Sequence, residues 1–370
     1  MSVTPARPAA RIAGLGVLAA FALSACSSGN NTPSAVATHS TAPGASAAAT
    51  CATGSLSGQG STFQQPIELQ WIKDYAAKCP GAQVAYVGTG SGAGKAALGA
   101  GTADFGGTDS LPKPAEQANA DKHCGGTAIV TPVTLGADVL TYNLQGVTKL
   151  QLSPETLAGI FQLTIVTWND KAIATDNPGV TLPNIPIVPV HRNDKSGTTN
   201  IFSSWLTKTA PSWKLGSGDT LVWPAKEQSG KGSDGVVAGV RQTPGGITYT
   251  ELSYAKLNSL PFADVKNQAG KFVTPAAASI SAALATAKVD TTKGDLRVTP
   301  DYATADPAAY PASSPTYVFT CKTGNKSAAL LKGYLTYALT DGRAVADQLG
   351  YAPLPDALQA QALAQVAALS

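Results

Sequence analysis

The hydrophobic pattern changes character twice along the chain. Residues 12–25 (IAGLGVLAAFALSA) form a short apolar run behind Arg7 and Arg11. A positive start, a short apolar segment and small residues at its end are the layout of an export signal. The run closes on Leu23-Ser24-Ala25-Cys26, an order that looks like a bacterial lipobox, with Cys26 lipidated and left as the mature N-terminus. The competing reading is an ordinary signal peptide whose cleavage site contains a cysteine. Residues 1–25 are thus expected to be a signal peptide. Residues 26–50, rich in Ser, Ala, Thr and Pro and poor in large apolar side chains, are expected to be a flexible tether. No later segment offers ~18 uninterrupted apolar residues, so a soluble body hanging from a lipid is expected.

From residue 51 the pattern becomes that of a folded body. Ile67, Trp71, Ile72 and Tyr75 recur at helical spacing in PIELQWIKDYAAK (66–78), and Pro80-Gly81 stops the helix. AYVGTG (85–90) reads as a strand entering a glycine turn, KAALGAG as a short helix, and ADFGGTD as a strand and turn. AIVTPVTLGADVLTYNL (128–144) reads as one or two strands around Gly136. SPETLAGIF (153–161) predicts a helix with Ser153 as N-cap and Pro154 at its first position. IPIVPVHR (185–192) predicts a strand, and TNIFSSWLTK a helix after it. Helices alternating with strands imply an α/β fold with mainly parallel sheets.

Composition narrows the function without naming it. The chain has 370 residues, 44% hydrophobic and 13% charged, enough to bury a large core in two lobes. A net charge of +3, with no basic stripe carrying interleaved aromatics, argues against a nucleic-acid partner. Export gives meaning to the cysteines. With Cys26 set aside, Cys51, Cys79, Cys124 and Cys321 remain, an even number for an oxidising compartment. No C-x-x-C pair exists and the histidines are only His39, His123 and His191, so neither zinc nor any other metal is expected. Four cysteines allow three pairings. We expect Cys79–Cys124 and Cys51–Cys321, the second joining the start of the body to a strand near its end.

Four glycine turns close predicted strands: GQGSTF (58–63), GTGSGAGK (88–95), FGGTDS (105–110) and RNDKSGTT (192–199). In open α/β sheets such turns are where ligands bind. In the last, Ser196-Gly197-Thr198-Thr199 opens a helix, where hydroxyls and free N–H groups can converge on an anion. Arg192 is the natural charge partner, since its planar fork matches two oxygens of a tetrahedral oxyanion, and Asp194 either orients Arg192 or caps the helix. A plain helix cap with an exposed arginine is the competing reading. GTGSGAGK is not a Walker A loop, because Thr89 stands five before Gly94 and Ala96 follows Lys95. It is a poor dinucleotide fingerprint as well, with Ala93 at the third glycine position. Ser91 is still a donor at a helix mouth, and Thr62 and Phe63 offer N–H groups just ahead of another helix. Asp109 beside an anion makes sense only if the anion carries a proton. Hydrogen phosphate does and sulfate does not, so Asp109 would repel sulfate while accepting a hydrogen bond from phosphate.

Taken together these motifs resemble the phosphate-binding lipoproteins of bacterial phosphate ABC transporters, the PstS family. The resemblance runs from about residue 55 to the end, with TWND (167–170), GKGSDGVVAGV (230–240), GGITYTELSYA (245–255) and YPASSPTYVF (310–319) as further matches in order. Two positions depart from the family pattern: Lys195 replaces a small residue, and Gly107-Thr108 an Ala-Ser pair. The resemblance implies a two-lobed type II periplasmic-binding-protein fold, with two mainly parallel sheets and a two-strand hinge crossing near 133–138 and 308–316. It puts residues 51–135 plus 312–370 in lobe I and 136–311 in lobe II. The implied phosphate ligands are Thr62, Phe63, Ser91, Asp109, Arg192, Ser196, Gly197 and Thr198, with Asp194 pairing Arg192.

The resemblance also implies a binding protein that needs no cofactor, a monomer that releases phosphate to a membrane-embedded permease. Three rivals stand beside it. A phosphatase or phosphotransferase using Ser196 or Ser91 lacks a base, for there is no G-x-S-x-G and almost no histidine. A receptor for sulfate or molybdate is disfavoured by Asp109. An adhesin or signalling lipoprotein that has lost the site would not keep every ligand group.

Overall fold

A computed structural model describes residues 49–225 and 227–370. The expected signal peptide, Cys26 and all but the last two tether residues lie outside the described residues. Those two already belong to the body, Ala49 packing on the core and the Thr50 carbonyl accepting the Tyr75 hydroxyl at 3.3 Å.

One sheet organises the body. Its strands are β1 (Gly54–Gly60), β2 (Ala82–Gly88), β3 (Phe105–Thr108), β4 (Ala128–Tyr142), β5 (Val188–Arg192), β6 (Gln228–Gly230), β7 (Gly246–Glu251) and β8 (Ser313–Cys321). Their order is β2-β1-β3-β8-β4-β7-β5-β6. Within it β2, β1 and β3 are mutually parallel, as are β7, β5 and β6, while β8 and β4 at the centre run antiparallel to their neighbours.

The two expected sheets are joined through β4, which is common to both. It is one strand of 15 residues, buried along its whole length. At ~3.3 Å per residue it spans roughly 50 Å, enough to serve two sheets in turn. Ala128–Ala137 pairs with β8, and from Asp138 to Tyr142 the partner is β7. The two halves are therefore continuous, and the change of partner falls between Ala137 and Asp138. A β-bulge lies at Thr316 and Tyr317, where Thr316 pairs with Thr134 but Tyr317 with Pro132. Bulges of this kind re-aim side chains.

Helices α1 (Gln65–Lys78), α2 (Ser91–Ala100), α3 (Pro114–Cys124), α4 (Pro154–Phe161), α5 (Gly197–Thr209), α6 (Gly232–Gln242) and α7 (Ala328–Leu339) pack on the sheet. Of the stripe expected on α1, Ile67, Trp71 and Tyr75 are buried, joined by Glu68, while Ile72 is half-buried against the core. Ser153 caps α4 by accepting the Thr156 N–H at 3.3 Å. Aromatic rings fill each half. Tyr75 meets Tyr334 edge-on in the first, and Phe202 stacks on Tyr249 at 4.5 Å in the second. Loops leaving the C-terminal ends of β1, β2, β3 and β5 hold the four glycine turns; β5 runs opposite to β1–β3 beside the other half of β4, so these ends face one another across the middle of the sheet.

The disulfides differ from the expected pairing. Cys51 joins Cys79 and Cys124 joins Cys321, with Cα–Cα separations of 5.2 and 5.4 Å. Register decides this. β1 pairs with β2, and the Gly54 N–H donates to the Gly81 carbonyl at 3.1 Å, which sets Cys51 against the end of α1 where Cys79 caps it. Cys124 ends α3, and β4 then begins at Ala128, the residue paired with Cys321. The cysteine spacing contains neither fact. Peptide mapping of the unreduced protein should yield Cys51–Cys79 and Cys124–Cys321 linked peptides and no Cys79–Cys124 peptide. Replacing Cys124 and Cys321 together by serine should cost roughly 2–5 kcal/mol in urea unfolding.

Candidate anion-binding site

Asp109 follows β3 and is nearly fully buried. Burial pushes its carboxyl above the ordinary value, opposed by three hydroxyl groups and the nearby Arg192 charge. Ser61 donates at 2.6 Å, Thr316 at 2.7 Å and Ser91 at 3.0 Å. Each comes from a different element: Ser61 from the end of β1, Ser91 from the first residue of α2, Thr316 from β8 opposite the bulge in β4. The Asp109 N–H in turn donates to the Ser91 hydroxyl at 3.2 Å. Against this cluster lies Gly197. A Cβ there would sit 2.6 Å from both Asp109 Oδ2 and Ser91 Oγ, so only glycine lets the mouth of α5 approach so closely.

Arg192 ends β5 and is buried. Its guanidinium holds Asp194 with two bonds, Nε to Oδ1 at 2.7 Å and Nη2 to Oδ2 at 2.6 Å, and Nη1 donates to Thr198 Oγ1 at 3.2 Å. Burial works against the Asp194 charge. Arg192 and the Gly232 N–H outweigh it and hold the carboxyl below its usual value. The Arg192 N–H donates to the Tyr249 hydroxyl at 3.1 Å, which also shares a 2.8 Å bond with Thr199, so the arginine is fixed at both ends.

Ser196 settles the question of cap or anion donor by serving as a cap. Its oxygen accepts the Thr199 N–H at 3.1 Å. A serine hydroxyl has a proton besides its lone pairs, so capping leaves the donor free. Among the described residues nothing accepts the buried backbone N–H groups of Phe63, Gly197 or Thr198. Orphan donors at a helix mouth are what an anion takes up. The Phe63 ring, by contrast, points into the core against Tyr351, and only its N–H is available.

Thr62 contacts the far half of the sheet as well. Its Oγ1 lies 2.9 Å from Ser233 Oγ and accepts the Ser233 N–H at 3.1 Å, tying the β1 loop to the start of α6. Further bonds cross in the same way. The Gly92 N–H donates to the Lys195 carbonyl at 3.0 Å, and Gly90, at φ +95°, leaves room for the Asp194 carboxylate. Lys95, which fails as the lysine of a nucleotide loop, is fully buried and reaches Asp219 at 2.8 Å, Ser110 at 3.0 Å and Glu116 at 3.1 Å. Asp219 in turn offers its carbonyl to the Ser196 N–H at 2.9 Å.

Sequence reasoning misses Ser61, Thr316, Lys95 and Asp219. Ser61 and Thr316 sit inside the GQGSTF and YPASSPTYVF motifs, and a threonine in a wholly buried strand is the available signal. The remaining family motifs are architectural. Trp168 donates to the Gly245 carbonyl at 3.0 Å, and Asp170 caps a short helix through the Ala172 N–H. Among the described residues there is no cluster of metal-ligating side chains and no helix long and apolar enough to cross a membrane.

The profile described as PBP superfamily domain matches residues 45–342. Phosphate-binding protein PstS 3 of Mycobacterium leprae is 34% identical over 94% of this chain and 96% of its own. The chain belongs to the PstS family. Phosphate-binding protein PstS of Xylella fastidiosa is 37% identical, covering 83% of each chain. Among solved structures, a high affinity periplasmic phosphate-binding protein bound with phosphate superposes with a TM-score of 0.69 at 24% identity, over 84% of this chain and 93% of the other. A phosphate ABC transporter substrate-binding protein from Clostridium perfringens gives 0.57 at 17% identity, over 82% and 100%. These likenesses give the fold, that of the periplasmic binding proteins.

In this PstS family member the Lys95–Asp219 pair is dry, and removing Lys95 strands Asp219. Lys95→Met should lower stability by about 3–5 kcal/mol in chemical denaturation, and adding Asp219→Leu should recover most of the loss.

Proposed function

We propose that this protein binds inorganic phosphate between two lobes outside the cytoplasm and releases it to a membrane permease of the ABC type. The observation that carries this reading is the meeting of a buried carboxylate with an arginine and orphan N–H donors. Asp109 contacts Gly197 and Ser91, while Arg192 and Thr198 lie in the same buried cluster. A site for a fully deprotonated anion would have no use for Asp109. Hydrogen phosphate gives its proton to a hydrogen bond with Asp109 and receives donors from Arg192, Ser196 and the backbone of Phe63, Gly197 and Thr198; Ser91 joins them once the phosphate proton takes its place on Asp109. The names of the relatives, each a phosphate-binding protein, support the same ligand.

The chemistry suffices for tight binding without catalysis. Micromolar affinity requires about 8 kcal/mol, and bonds involving a charged group give roughly 1.5–3 kcal/mol each before entropic losses. Asp109 accepts from Ser91, but it is shared with Ser61 and Thr316, whose bonds favour its ionised form and weaken it as a base for a serine nucleophile. Lobe I would comprise 51–135 plus 312–370 and lobe II 136–311, rotating about the change of partner after Ala137 and the chain entering β8. The cross-contacts of Thr62, Gly92 and Lys95 would form on closure and part on opening. Anchoring through lipidated Cys26 would keep the protein at the membrane beside its permease, as a monomer.

Exchanging Asp109 for Asn removes the like charge facing sulfate. Calorimetry should show sulfate binding to Asp109→Asn gain roughly 10-fold or more, about 1.4 kcal/mol. Wild-type protein that takes sulfate as well as phosphate would refute the proton-acceptor role. Steady turnover of phosphate esters by the purified protein would refute the binding-only reading.

A further inference from the structure

Behind Asp109 the hydrogen bonds continue inward to a second acid. Thr316 Oγ1, which donates to Asp109, is also 3.2 Å from Gln64 Oε1. The other end of that amide, Gln64 Nε2, is 2.7 Å from Glu68 Oε1, and the Tyr334 hydroxyl donates to Glu68 Oε2. Thr316, Gln64, Glu68 and Tyr334 are all fully buried. Among the described residues no cation lies within ion-pair distance of Glu68.

This line of hydrogen bonds has two consistent arrangements of protons. An ionised Glu68 only accepts, so the Gln64 nitrogen faces it and the Gln64 carbonyl faces Thr316. The single Thr316 proton is then contested between Gln64 and Asp109, with the Thr108 carbonyl a more distant acceptor at 3.4 Å. A protonated Glu68 donates to the Gln64 carbonyl instead. The amide turns over, its nitrogen donates to Thr316, and the Thr316 proton is committed to Asp109. Such lines strengthen cooperatively in a dry interior.

We propose that Glu68 is a positioning residue for the anion site: through Gln64 and Thr316 its protonation supports donation into Asp109, and its ionisation weakens phosphate binding. The inference rests on the phosphate reading of the site. Ionisation acts twice in the same direction, loosening the Thr316 bond and adding a buried negative charge on the anion's side. Burial pushes the Glu68 carboxyl up to about 7, against the lowering effect of Tyr334 and Gln64, so the change falls in the neutral range. The ionisable groups near it are Tyr334 on α7, Tyr86 on β2 and Asp109; burial, with Glu68 contributing, holds both phenols protonated.

The test is the ratio of phosphate dissociation constants, wild type over Glu68→Gln, by calorimetry on the full chain. Ionisation of phosphate itself, and of the buried acids Asp138 and Glu251, cancels in this ratio. Glutamine mimics the protonated acid, donating to Gln64 and accepting from Tyr334. The ratio should be near unity at about pH 6 and rise to roughly five-fold or more at about pH 8. A ratio that does not change with pH overturns the role, because a merely structural effect of the substitution would shift every pH alike. Failure of both proteins to bind phosphate at any pH would instead overturn the phosphate reading. Tyr334→Phe, which keeps the acid and removes a donor to its ionised form, should move the step in affinity to higher pH; an unmoved step also counts against the proposal.

Discussion

The buried carboxylate of Asp109 is the constraint around which the rest is arranged. An acid removed from water keeps its accepting character only if donors replace the solvent. Here three hydroxyls do so, from the end of β1, the start of α2 and the middle of β8. Those elements are far apart in the chain, Ser61 and Thr316 by more than two-thirds of its length. The sheet order β1-β3-β8 brings them together. The Cys124–Cys321 bridge then fastens the far end of β8, where its pairing with β4 begins.

The opposite wall is built on a different principle. Arg192 is held rigidly by Asp194, Thr198 and Tyr249, and α5 presents backbone N–H groups whose natural partners are anionic. Asp194 offsets much of the arginine charge, so the site attracts an anion by directed donors more than by net charge. This accords with a chain of only +3 overall. It also explains why Gly197 cannot carry a side chain, since the two walls meet there at contact distance.

Local features are legible in the sequence, and those set by long-range register are not. The stripe on α1, the Ser153 cap and the strand before Arg192 follow from periodicity and turn chemistry, which are local. The glycine motifs likewise point to the turns that the sheet sets facing one another at its middle. The disulfide pairing depends on β4 lying against β8, and spacing carries no such information. Ser61 and Thr316 escape notice because a hydroxyl's partner is decided by which strands are neighbours. Lys95 invites comparison only with nucleotide loops, and its burial beside Asp219 depends on the second half of the sheet closing over it. Glu68 looks like one more polar residue on a helix, although it stands on the buried stripe.

The central claim is that one wall of donors and one carboxylate share a single phosphate. A crystal structure of the protein grown with phosphate tests it most directly. The account predicts one phosphate with an oxygen at hydrogen-bond distance from an Asp109 carboxylate oxygen, others on Arg192, Ser91 and the N–H groups of Gly197 and Thr198. Phosphate bound away from Asp109, or held there with no contact from Arg192 or the mouth of α5, would contradict it.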